Sequence, residues 1–163
     1  MKSLKIFALI LSIFAAVSIL SACGYISAAV DETTYVNTLS EKFEEIVKKN
    51  RELNQIRNSW TLADTQSTND YMESIDTLLN LYLNLRNINP TEKYSLDDYT
   101  IDLQCQDQIT ALSQEKALVQ YALDAKDDTA YQSGIEDILS AYTSAYDSID
   151  NSMAKIKTDF RNG

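Results

Sequence analysis

The side chains in this sequence that could do chemistry are carboxylates, phenols and thiols. Imidazole is missing, since the 163 residues include no histidine. That removes the usual general base, the commonest transition-metal ligand and every histidine-dependent triad. It also removes the Glu-x-x-His pairs of a di-iron four-helix site. With only two cysteines and no histidine, a zinc site lacks ligands. Asp124, Asp127 and Asp128 cluster at one turn, and Asp147 and Asp150 share a helical face. Two carboxylates divide acid and base work only where their surroundings push their pKa values apart, and these lie in polar sequence that water can reach. The Asp124–Asp128 spacing matches no EF-hand loop. Cys105 falls on an apolar stripe, which reads as a small buried thiol and not a reactive one. No catalytic residue, metal or cofactor is therefore expected.

The ten tyrosines are the most unusual feature. Tyr71, Tyr82, Tyr131, Tyr142 and Tyr146 fall at core-facing positions, and Asn50 falls on the same kind of stripe. A buried phenol needs a hydrogen-bond partner, which Asn50 and the many serines and threonines could supply. The cluster reads either as a satisfied polar layer or as a tyrosine-lined pocket for a small ligand, as in a sensor or carrier. A second clue lies in the segment 95–125. One face holds Ile101, Cys105, Ile109, Leu112, Val119 and Leu123; opposite lie Leu96, Tyr99, Leu103, Leu118 and Tyr121. A surface helix needs only one apolar face. Either this helix is packed on both sides, or its second stripe docks a protein partner or a second copy.

The elements that must position these residues are helices. Three glycines and one proline are too few for a turn-rich sheet domain or a glycine-rich phosphate loop. Tyr35, Leu39, Phe43, Ile46, Leu53, Ile56 and Trp60 recur at spacings of three, four and seven, predicting a helix over about 31–60. Tyr71, Ile75, Leu78, Tyr82 and Leu85 predict a second over about 67–88, with Leu79, Leu81 and Leu83 widening its face enough to touch more than one neighbour. Asn89-Pro90-Thr91 then breaks the chain. Ser95 with Asp98 resembles a capping box opening the third helix, which runs to about Ala125. After the Lys126-Asp127-Asp128 turn, Tyr131, Ile135, Ile138, Tyr142, Ile149, Met153, Ile156 and Phe160 mark a fourth. Long helices with short connections predict an all-α, antiparallel, up-down-up-down four-helix bundle. A tetratricopeptide-like pair fits less well, because its Trp-Leu-Gly-Tyr pattern is missing.

The N-terminus says where such a domain sits. Lys2 and Lys5 precede an uncharged apolar run from Ile6 to Leu20, the pattern of a secretory signal. An uncut signal anchor would need that run to continue, but Ser21, Cys23, Gly24 and Ser27 interrupt it. Leu20-Ser21-Ala22-Cys23 resembles the lipobox of bacterial lipoproteins. The resemblance implies a signal peptide over 1–22, a diacylglyceryl group on the Cys23 thiol, and cleavage just before that residue. Residues 23–30 would then be a lipidated tether and 31–163 one domain, held on the extracytoplasmic face of the cell membrane. Losing Lys2 and Lys5 leaves 12 basic and 24 acidic residues, a balance that argues against nucleic acid. The expectation is a non-enzymatic binding or scaffold lipoprotein of the cell envelope. Its partner would be an envelope protein or a second copy, with a small-ligand sensor or carrier as the alternative.

Overall fold

The computed structural model describes residues 31–162. The expected signal segment 1–22, the lipidated Cys23 and the tether 23–30 lie outside these described residues. The described chain is all-helical: α1 is Glu32–Ser59, α2 Thr65–Arg86, α3 Ser95–Ala125 and α4 Thr129–Asn162, with a short 3-10 turn, Glu92–Tyr94, before α3. Among the described residues there is no strand, and no helix is long and apolar enough to cross a membrane.

Each boundary has a local cause. At α1, the Asp31 side chain accepts from the Thr34 backbone N–H at 3.0 Å, satisfying one of the amides that a helix start leaves without a partner. The helix stops at Trp60, whose ψ of 136° is extended. α2 starts two residues before the position expected, because Asp64 caps it by accepting from Gln66 and Ser67 N–H groups at 3.0 and 3.2 Å. The capping box expected at Ser95 does not form. Ser95 already lies in the helix, its hydroxyl donates to the Glu92 carbonyl at 3.0 Å, and Asp98 is engaged elsewhere. α3 ends with Lys126 in the left-handed region, at φ 54°. There the Lys126 N–H bonds Leu123 O, and the Asp127 N–H reaches back to Ala122 O, both at 3.2 Å. Those two bonds are the Schellman closure of a helix end.

The four helices surround one core. Leu39, Ile46 and Leu53 of α1, Ile75, Leu78 and Leu85 of α2, Ile101, Leu112 and Val119 of α3, and Ile149, Met153 and Ile156 of α4 are all buried. α2 packs on both α1 and α3, as its broad leucine face requires, and α4 packs mainly on α3. The polar strip through Glu73, Asn80, Asn84 and Asn87 is exposed.

Lys126 occupies a conformation that glycine adopts without steric cost. Lys126→Gly should therefore stabilise the domain by about 1 kcal/mol. The measure is a higher urea midpoint with an unchanged slope.

Candidate functional site

The interior holds a charged network. Glu115 of α3 is fully buried, and the Arg57 side chain of α1 is 7% exposed. Arg57 Nε donates to Glu115 Oε1 and Nη2 to Oε2, both at 2.6 Å, the planar fork that matches a carboxylate best. Asn54 takes a third guanidinium hydrogen bond at 2.6 Å, and the Tyr142 ring lies 5.0 Å beneath the guanidinium carbon. From α2, the Tyr71 hydroxyl donates to Glu115 Oε1 at 2.5 Å. That uses its one proton, so the Tyr131 hydroxyl of α4, 2.7 Å away, donates to Tyr71. Burial, then the charge of Glu115, pushes the Tyr71 phenol far above its usual range and keeps it a donor. Trp60 closes the end of the cluster. Its ring meets Tyr71 and Tyr131 edge-on at 5.6 and 4.7 Å, and its indole N–H donates to Thr68 at 3.0 Å.

A second layer lies one step along the bundle. Asn50 Nδ2 donates to the Tyr82 hydroxyl at 3.2 Å, and the Tyr142 hydroxyl donates to Asn50 Oδ1. Burial pushes the Tyr142 phenol up to about 12. Gln108 Nε2 donates to the Tyr142 carbonyl at 2.5 Å, while its Oε1 is buried without a donor. Tyr71, Tyr82, Tyr131, Tyr142 and Asn50 are thus brought together inside, as their spacing suggests. Tyr146 is half-buried against Phe43, with ring centroids 5.7 Å apart, and joins no hydroxyl layer.

The third polar cluster joins the starts of α1 and α3. The Tyr35 ring stacks on Tyr94 at 5.8 Å, and the Tyr35 hydroxyl donates to Asp98 Oδ1 at 2.8 Å. Glu32 accepts from Lys93 at 2.5 Å and from the Tyr94 hydroxyl at 2.7 Å. Burial pushes the Asp98 carboxyl up to about 6; the Tyr35 hydrogen bond opposes this, and the charge of Asp102 adds to it.

Outside, the second stripe of α3 divides. Leu96, Tyr99 and Leu103 are 73%, 58% and 45% exposed. Leu118 and Tyr121 are half-buried. Leu118 packs where Gly134 of α4 leaves room: a Cβ there would stand 3.0 Å from Leu118 Cδ1. Asp127 accepts from the Thr129 N–H and hydroxyl at 3.0 and 2.6 Å, at the first residue of α4, and Asp147 and Asp150 are exposed. Burial pushes the Cys105 thiol up, away from the reactive thiolate. Among the described residues, no three His, Cys, Asp or Glu side chains gather as a metal site would need.

Two outcomes follow from the buried charges. Arg57→Met strands the Glu115 carboxylate and should cost about 3–5 kcal/mol, whereas adding Glu115→Leu should recover most of it. Urea unfolding of the single and double variants decides this. For Asp98, the folded state holds the proton more tightly than the ordinary value of 3.8 allows. Its contribution to stability is complete below about pH 4 and is lost as pH rises through about 6. Asp98→Asn should match the parent at pH 4 and exceed it at pH 7, read as a growing gap in urea midpoint.

Comparison with known proteins finds no matching family model, no similar curated protein and no similar solved structure.

Proposed function

We propose that this chain is a membrane-anchored extracytoplasmic lipoprotein that works without catalysis, as a binding or scaffold protein of the cell envelope. On this reading residues 1–22 are a signal peptide, Cys23 carries the lipid, 23–30 is a tether, and 31–163 is an antiparallel up-down-up-down bundle. Contact order supports that arrangement. Along α1, Asn50 pairs with Tyr82 while the later Trp60 pairs with the earlier Thr68. Along α3, Asp102 pairs with Arg86 while the later Glu115 pairs with the earlier Tyr71.

The observation that carries the functional reading is the face of α3 bearing Leu96, Tyr99 and Leu103, three large apolar side chains exposed in a row. The interior favours this reading over a ligand carrier. Tyr71 of α2 and Tyr131 of α4 bond each other directly where a pocket between those helices would open, and Asn50 joins Tyr82 to Tyr142. Their hydroxyls already have partners, so a ligand would have to break hydrogen bonds to gain them.

Two measurements test the proposal. Cells fed an alkyne-tagged palmitate should label the parent chain, and Cys23→Ala should lose both the label and the membrane fraction. Label that persists in Cys23→Ala would sink the anchor. The lipidated protein drawn from its own membranes should bring down a specific partner, another copy or another envelope protein. Leu103→Asp should abolish that capture while keeping the helical circular-dichroism signal and urea midpoint of the parent; undiminished capture would move the contact surface elsewhere.

A further inference from the structure

The exposed face and the proposed anchor lie at the same end of the domain. α1 begins at Glu32, and its first turn touches the start of α3 through Glu32–Lys93, Glu32–Tyr94 and Tyr35–Asp98. Leu96 is the second residue of α3 and Leu103 stands two turns along, roughly 10 Å further at the α-helical rise. The tether from Gly24 to Val30 reaches roughly 24 Å when extended. In every anchored copy this end of the domain would therefore stay within roughly 24 Å of the bilayer.

We infer that the occupant of this face is a second copy of the same chain, paired through α3 in parallel about a two-fold axis along the membrane normal. The inference rests on the lipoprotein reading and names the partner for it. Leu96, Tyr99 and Leu103 are spaced three and four apart, the a-d-a seam of a parallel coiled coil, in which identical residues face each other across the axis. The seam points away from the core, because Ile101, Cys105 and Leu112 on the opposite side of α3 are buried. The flanking positions fit a short pairing. Ser95 and Thr100 would meet across the first turn without charge. Asp102 would then face Asp107 of the other copy, but Asp102 is already held by Arg86 at 2.6 Å. Beyond Leu103 the next seam positions, Gln106 and Thr110, are polar, which ends the pairing there.

Size decides where the dimer forms. Three such side chains offer on the order of 300 Å² per copy, against about 800 Å² per partner in a stable interface. Free in solution the pair is too weak to persist. Two copies held in one membrane meet at a raised effective concentration, which a small interface can exploit.

The test is disulfide trapping of the lipidated protein in its own membranes. Lipidation blocks the Cys23 thiol and Cys105 is buried, so an introduced cysteine reports alone. Leu103→Cys should give a disulfide-linked dimer under mild oxidation, and Glu73→Cys, on the exposed strip of α2, should give at least ten-fold less. Adding Asp107→Lys, which brings a cation to face the Arg86-held Asp102 of the other copy, should raise the Leu103→Cys yield at low salt. Equal trapping at Leu103→Cys and Glu73→Cys would overturn the inference. So would capture of Leu103→Cys by another protein, or burial of the face in lipid, read as quenching of a Leu96→Trp variant by brominated acyl chains. Absence of the palmitate label from Cys23 would refute the anchor, and that label is read independently of trapping. A lipidated chain that does not trap would refute the pairing and leave the anchor.

Discussion

A buried ion pair constrains everything else in this fold. Moving the Arg57 and Glu115 charges out of water is costly, and only a complete set of short hydrogen bonds repays that cost. The set is supplied by three helices: the guanidinium fork from α1, the carboxylate from α3 and the Tyr71 hydroxyl from α2, with Tyr131 of α4 bonded to Tyr71 in turn. A slip of any helix by one turn would leave a charge or a phenol buried without its partner. Apolar stripes alone tolerate such slips, because one leucine replaces another at little cost. The network, more than the oily residues around it, makes one alignment of the helices better than its neighbours.

The helices themselves were legible because the signal for them is local. Spacings of three, four and seven mark the stripes of α1, α2 and α4, and Asn89-Pro90 marks the break before α3. The tyrosine and Asn50 layer was legible for the same reason. The ion pair was not, because its partners stand 58 residues apart and a charge in an acidic chain reads as solvated surface. A trace was present nonetheless. Glu115 stands between Leu112 and Val119 at core spacing, Arg57 between Leu53 and Trp60, and Gln108 between Cys105 and Leu112. A polar residue on a buried stripe is the sign to follow, as it was for Asn50. At Ser95 the local pattern misled, because tertiary structure outbid it: the Asp98 carboxylate that a capping box needs accepts the Tyr35 hydroxyl.

The second stripe of α3 resolves into two halves for a reason that α3 does not contain. Leu118 finds cover because α4 carries Gly134 opposite it, leaving room where a larger residue would stand. Among the described residues Leu96, Tyr99 and Leu103 meet no such cover and are exposed. From the sequence of α3 the two halves look alike, since both are leucines and tyrosines at helical spacing. What separates them is the partner helix, and that is information only packing supplies.

The closed interior and the open face point the same way. The Tyr71 and Tyr131 protons are directed to named acceptors, and the Arg57 guanidinium keeps its proton. Such a core fixes shape. On the proposed reading function resides on the surface, where the exposed apolar side chains gather at the end from which α1 starts. A patch of three residues is weak for a protein diffusing in water, and adequate for one held in a plane beside its partner. On the proposed reading, the lipid on Cys23 is therefore part of the binding mechanism and not only an address. It supplies the effective concentration that so small a surface lacks, and a rigid bundle keeps that surface at the end of the domain from which the tether leaves.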